Sequence, residues 1–139
     1  VNDPWVVAQN YHMTAINSAL EVDVLGQVAA DTLGPMQFSG VGGQVDFVRG
    51  AARSVGGKSI IAFPSTAQKG KTSRIVAVLA RGSAVTTSRH DTDYIVTEYG
   101  IASMKGKTVK ERMEALINIA HPDFRSEIRK DAYNTYFSR

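Results

Sequence analysis

Cysteine is absent from the 139-residue chain. That excludes disulfides, thiol nucleophiles and sulfur-ligated zinc, and it fits a reducing, cytoplasmic setting. No apolar stretch approaches the roughly 18 residues of a membrane span, and no charged segment followed by an apolar run marks a signal peptide. An initiator methionine is missing as well: the chain opens Val1-Asn2-Asp3-Pro4, which reads as a cut through a longer protein. Acidic residues are missing from one long interval. Between Phe47 and His90 stand Arg49, Arg53, Lys58, Lys69, Lys71, Arg74, Arg81 and Arg89, with no Asp or Glu among them, in a chain whose net charge is only +3. A middle third of one sign suggests an anionic partner, either a phosphorylated small molecule or nucleic acid, unless acids elsewhere in the fold balance it. Aromatic spacing argues against nucleic acid: only Phe63 lies among those basic residues, and single-strand binding needs stacking platforms interleaved with charge.

What is present is an ordinary globular composition, 43% hydrophobic and 21% charged, in a length that suits one domain. Thr14 to Val24 alternates with a period of two and reads as one strand, its outer face carrying Asn17, Glu21 and Asp23. Gln27 to Thr32 is expected to pair back as a hairpin after Leu25-Gly26. Ser39 to Gly43 forms a glycine-rich turn into a helix over Gln44 to Ser54, with Val45, Val48, Ala51 and Ala52 on one stripe and Gly56-Gly57 at its end. Short buried strands are expected at Ser59 to Phe63 and Ile75 to Ala80, separated by a basic loop from Ala67 to Thr72, and two more at Ala84 to Thr87 and Tyr94 to Thr97. Thr108 and Glu111 fit a capping box ahead of a helix, and Pro122 suits the first turn of a last one. The pattern is α/β.

Several motifs fail on inspection. Gly-Lys-Ser/Thr occurs at Gly57, Gly70 and Gly106, but a P-loop needs a further glycine five residues earlier, where Ala52, Ser65 and Ile101 stand. Gly40-Val41-Gly42-Gly43-Gln44-Val45 begins like a dinucleotide fingerprint, yet Val45 occupies the third glycine position and no acid follows about twenty residues on. His12, His90 and His121 share no metal-ligand spacing, so no metal site is expected. No serine sits in a Gly-x-Ser-x-Gly elbow.

Two features survive. Ser39 to Phe47 (SGVGGQVDF) brings bare backbone amides and a helix N-terminus to one place, which suits an anion or an oxyanion; a plain tight turn explains it equally well. Asn17 on its strand, and Glu98 at a strand end beside a glycine turn, are groups that can orient a carbonyl or a carboxylate, or be ordinary surface residues.

The residues AINSALEVDVLGQV (Ala15 to Val28), SGVGGQVDFVRGA (Ser39 to Ala51), DYIVTEYGIA (Asp93 to Ala102), SMKGKT (Ser103 to Thr108) and ALINIAHPDFR (Ala115 to Arg125) resemble, in order and spacing, the signature segments of the acetyl-CoA hydrolase/transferase family. The resemblance implies an open α/β domain of the class I CoA-transferase type, with residues 1–139 forming the C-terminal domain of a longer two-domain enzyme. It implies CoA transfer between an acyl-CoA and a short-chain carboxylate such as 4-hydroxybutyrate or butyrate. There a glutamate attacks the thioester, an anhydride forms, and a glutamyl-CoA thioester hands CoA to the second acid. No motif for that glutamate occurs in this chain, so it is expected upstream. The resemblance further implies supporting roles for Asn17, which would hold the glutamate or the thioester oxygen, for Gly42 and Gly43, whose N–H groups would face the oxyanion, and for Glu98, which would line the pocket. Arg74 would contact CoA where some relatives carry lysine; Lys69 and Lys71 are candidate phosphate contacts by charge alone. CoA is then a substrate and no tightly bound cofactor is expected; the partners are the missing N-terminal domain and other copies in a homo-oligomer, with no nucleic acid and no membrane. Alternatives are an acyl-CoA hydrolase and a stand-alone CoA-binding module.

Overall fold

The computed structural model describes residues 1–138. A short helix α1 (Pro4–Ala8) leads into β1 (Thr14–Asn17), β2 (Glu21–Asp23) and β3 (Val28–Ala29). The chain continues through the two-residue strands β4 (Thr32–Leu33) and β5 (Met36–Gln37), helix α2 (Gln44–Arg53) and β6 (Lys58–Ala62). After β7 (Thr66–Ala67), β8 (Thr72–Ser73) and β9 (Ile75–Val76) come β10 (Tyr94–Thr97), β11 (Gly100–Ser103), α3 (Val109–Ile119) and α4 (Pro122–Tyr136).

One four-stranded sheet runs β1-β6-β10-β11, with β1, β6 and β10 parallel and β11 antiparallel. Register places Asn17, Ile61, Ile95 and Ala102 in one row across the sheet and Ile16, Ile60, Tyr94 and Ser103 in the next. Successive residues of a strand point to opposite faces, so the two rows lie on different sides. The side of the first row is the core: Ile61, Ile95 and Ala102 pack with Val48 of α2 and with Met113, Leu116 and Ile117 of α3. Burying a side chain of that size contributes about 1.5–3 kcal/mol. The other side carries Ile16 at 68% exposure and Ile101 at 69%. Helix α1 closes on α2 where Gly50 stands, a position at which a Cβ would lie 2.5 Å from Val7.

The period-two reading of Thr14 to Val24 needs correction on two counts. The segment is two strands, because after Asn17 the chain leaves the first sheet and β2 pairs with β3 and β9 in a second one. The face assignment is also reversed in β1, where Ala15 is buried and Ile16 exposed; further on Val22 and Val24 are buried as expected, but Glu21 and Asp23 are buried with them. The two acids are inside because backbone donors meet them. Glu21 accepts from the Ala80 N–H at 2.7 Å, and Asp23 accepts from Leu25 and Gln27 N–H, each at 3.0 Å. Other elements differ in extent. Ile75 to Ala80 is strand only over Ile75–Val76, and Ala84 to Thr87 reduces to a single bridge, Val28 to Thr87. The Ala67 to Thr72 loop is the tip of a β7–β8 hairpin, with Gln68 and Lys69 in left-handed backbone. Helix α1, the β4–β5 hairpin and β11 were not among the expected elements. The hairpin after Gly26, the helix after the glycine turn and both C-terminal helices match expectation, with the Thr108–Glu111 capping box present in both directions.

Burial pushes the Glu21 carboxyl above its ordinary value of 4.5; the Ala80 N–H opposes this and the nearby Asp23 charge adds to it. A carboxyl whose folded-state value is raised weakens the fold as pH climbs through that value, since only the ionised form is penalised. Glu21→Gln keeps an acceptor for Ala80 and removes the charge. Its melting temperature should therefore exceed that of the parent at pH 7, with the gap closing as pH falls toward 4.5. A gap that stays constant across that range would show that charge is not what Glu21 contributes.

Candidate functional site

Parallel strands present their carboxyl ends on one edge, the edge where ligands of open α/β sheets bind. Here that edge holds Asn17 at the end of β1 and Glu98 just past β10. Because Asn17 shares the core-facing row, its side chain is largely covered, and its Nδ2 is buried without a hydrogen-bond acceptor. An open cleft of about 380 Å³ lies against it, lined also by Asp31, Ser39, Gly43, Gln44 and Arg74.

Arg74 supplies a second donor of the same kind. Its Nη1 donates to the Ala19 carbonyl at 3.0 Å, which pins the guanidinium, while its Nε is buried and unpartnered. Two residues that line one cleft thus each carry a buried donor lacking an acceptor. Leaving a donor unsatisfied costs about 1–3 kcal/mol, so the pair amounts to a standing demand for an oxygen acceptor. The glycine turn adds to it. Helix α2 starts at Gly43 with no side-chain cap, whereas α1, α3 and α4 are capped by Asp3, Thr108 and His121. Its first N–H groups thus remain open at the positive end of the helix dipole. Gly42, at φ +60°, has backbone that disfavours a side chain, and a Cβ there would meet nothing within 4 Å.

Gln44 is the residue that fixes this corner. Its Nε2 donates to the Ser18 carbonyl at 2.7 Å, and its Oε1 accepts from the buried Thr87 hydroxyl at 2.9 Å. The first bond ties the start of α2 to the β1–β2 connection, and the second ties it to the segment that bridges β3 at Val28. Nothing in the sequence pattern marks Gln44, because its partners are 26 and 43 residues away.

Glu98 is exposed and accepts from the Ser65 N–H at 2.7 Å. The nearby Ser65 side chain and this main-chain donor hold its carboxyl below the usual carboxylate value. The Ser65 hydroxyl completes no hydrogen bond, so the main-chain donor is the contact that orients Glu98. Ser65 also connects Glu98 to the cleft: its carbonyl accepts from the Arg74 N–H at 2.8 Å. Thr97, bonded through its hydroxyl to the Ile119 carbonyl at 2.6 Å, anchors the strand end just before Glu98.

The expected basic middle does not form one surface. Arg49 pairs with Asp91 at 3.1 Å, and Arg74 turns inward to the cleft. Lys69 sits at the tip of the β7–β8 hairpin, and Lys71 lines a separate cleft beside Glu127 and Asp131. The structure thus brings Asn17, Gly43 and Arg74 together, ties Glu98 to them through Ser65, and leaves Lys69 and Lys71 outside the cleft. Among the described residues, no three His, Cys, Asp or Glu side chains converge as a metal site. A donor-lined cleft of this kind can hold a carbonyl or carboxylate oxygen and stabilise negative charge that develops on it.

The family model for the acetyl-CoA hydrolase/transferase C-terminal domain matches residues 1–132. A 4-hydroxybutyrate coenzyme A transferase from Clostridium kluyveri is 58% identical over 131 residues, which is 94% of this chain and 30% of that protein. The crystal structure of RipA from Yersinia pestis superposes with a TM-score of 0.90 at 47% identity, over 97% of this chain and 30% of that one. An acetyl-CoA hydrolase from Saccharomyces cerevisiae is a more distant match, 30% identical over 127 residues. The chain spans about 30% of the length of the curated transferases it matches.

Proposed function

The chain belongs to the acetyl-CoA hydrolase/transferase family through its C-terminal domain, and on that premise we propose that it is the C-terminal part of a CoA-transferase moving CoA between an acyl-CoA and a short-chain carboxylate, with 4-hydroxybutyrate the first candidate acid. The observation that carries this reading is the pair of acceptor-less buried donors, Asn17 Nδ2 and Arg74 Nε, on two residues that line one cleft at the carboxyl edge of the sheet. In CoA transfer every step passes through a tetrahedral carbon bearing an oxyanion, and such donors stabilise it as charge develops. In this reading Asn17 holds the thioester oxygen or the attacking glutamate, Gly42 and Gly43 leave the amides of the α2 turn open, and Glu98 borders the pocket. Arg74, a CoA contact by the family resemblance, orients the oxygen in this reading. Lys69 and Lys71 are proposed contacts for the CoA phosphates on charge alone, and the acids beside Lys71 count against that role.

The glutamate nucleophile belongs to the remainder of a longer protein in this reading. The uncovered sheet side carrying Ile16 and Ile101 supports it, because a sheet of parallel strands is ordinarily covered on both faces. The hydrolase alternative has only the distant relatives in its favour. The test is a full-length enzyme assayed with acetyl-CoA, with and without 4-hydroxybutyrate. Transfer predicts acceptor-dependent formation of 4-hydroxybutyryl-CoA with little free CoA. Release of free CoA at the same rate without an acceptor acid would replace this reading with hydrolysis.

A further inference from the structure

We propose that a second cleft, at the opposite end of the sheet between Leu25, Arg89 and the start of α3, binds a phosphate dianion. The cleft holds about 320 Å³ and is lined by Arg89, His90, Lys107 and Arg112, together with Leu25 and Val109. No lining residue is acidic. It lies away from the Asn17 cleft: β11 runs antiparallel to β10, so Lys107 follows the strand end paired with Tyr94, at the amino ends of the parallel strands.

Three observations make this more than a solvated basic surface. First, Arg112 is immobilised: its Nη1 donates to the Leu25 carbonyl at 3.1 Å and to the Arg89 carbonyl at 2.9 Å. A guanidinium held in this way presents its other N–H groups in a fixed fork, the geometry that recognises phosphate. Second, Arg112 has no acidic partner. Burial and the neighbouring Arg89 charge both lower the hold of Arg112 on its proton, whereas a paired arginine such as Arg129, bonded to Glu114, is shifted the other way. Third, the acids adjacent in sequence are engaged elsewhere. Glu111 is hydrogen-bonded in the capping box with Thr108, where its charge offsets part of that of Lys107, and Asp91 is committed to Arg49 and Ser88. The positive end of the α3 dipole adds to the potential at Val109. Arg89, Lys107 and Arg112 held together repel one another, and a dianion relieves that repulsion.

A phosphate dianion reaches the cleft from either of two sources: the phosphorylated adenosine end of CoA, or a free phosphorylated metabolite. The experiment is a titration of the full-length enzyme followed by NMR of its labelled arginine, histidine and lysine side chains, using inorganic phosphate and pyrophosphate, with chloride at matched ionic strength as control. Saturable shifts confined to Arg89, His90, Lys107 and Arg112 support the proposal. The exposed double variant Arg89→Gln/Lys107→Gln should bind about tenfold or more weakly, as expected for losing two charge-assisted contacts. Arg112→Lys, which keeps the charge but loses the fork, should weaken pyrophosphate without unfolding the chain. CoA displacing phosphate from these residues identifies the CoA end as the source; phosphate persisting in excess CoA identifies the free metabolite. Shifts that chloride reproduces, the absence of any saturable shift, or unchanged affinity in the double variant would overturn the site. None of these readouts depends on turnover, so failure here leaves the transferase reading untouched.

Discussion

A full-length enzyme carrying Asn17→Ala should turn over about 100- to 1000-fold more slowly, the loss typical of removing one oxyanion donor, while its melting temperature stays level or rises. The two halves of this expectation come from the same atom. Asn17 Nδ2 is buried and bonded to nothing, so alanine breaks no hydrogen bond of that nitrogen in the fold and relieves an unpaired donor. If the amide serves a reacting oxygen, the donor is missed only when charge appears there, and the defect falls on turnover. An amide kept for packing gives the opposite signature, a destabilised protein with near-normal turnover. The variant is therefore read by pairing steady-state kinetics with thermal melts. Full activity in Asn17→Ala would remove Asn17 from the chemistry and leave Arg74 Nε as the donor to test.

Asp23→Ala is the substitution expected to cost most in stability, about 3 kcal/mol, because it strips acceptors from several donors at once. Asp23 is 1% exposed. Its Oδ1 accepts from the Leu25 and Gln27 N–H groups, and its Oδ2 from Gln27 Nε2 at 2.6 Å. Burial pushes this carboxyl above its ordinary 3.8 despite those bonds, so the charge itself is held at a cost and the network is what justifies it. Asp23→Asn, which retains an acceptor without the charge, should lose markedly less. Urea melts of both variants decide the point: equal losses would mean that the charge matters and the acceptor count does not.

Much of this architecture was legible in the chain, and the residues that escaped share a cause. Helices α2, α3 and α4 announce themselves locally, through a glycine turn, a capping box and a proline in the first turn, and each stands where those signals put it. The Asn17 cleft was half legible: the glycine turn and Asn17 were singled out by residue type, and the long family motifs gave them roles. Gln44 and Ser65 escaped because their work is done across 26 to 43 residues of sequence, through bonds that no local pattern records. The acids misled for a related reason. An Asp or Glu alternating with apolar residues reads as an outer face, but Glu21 and Asp23 are inside because backbone N–H groups, invisible in composition, converge on them. Charge runs misled too, since Arg49, Arg74 and Lys71 end on different parts of the surface while Arg89 joins Lys107 and Arg112 from outside its own run.

The sheet side bearing Ile16 and Ile101 has a practical bearing on how the chain behaves when produced alone. Ile16 lies in β1 and Ile101 in β11, the two edge strands of the sheet, whose outer backbone groups pair with no strand among the described residues. Apolar surface next to an open strand edge is the combination that leads polypeptides to stack edge to edge. In a concentrated preparation the first failure would then be precipitation rather than unfolding, worsening with temperature and with sulfate, which strengthens apolar association. Threonine at 16 or lysine at 101 would be the conservative way to obtain a well-behaved sample, since both positions are more than two-thirds exposed and neither lines the Asn17 cleft or the basic one.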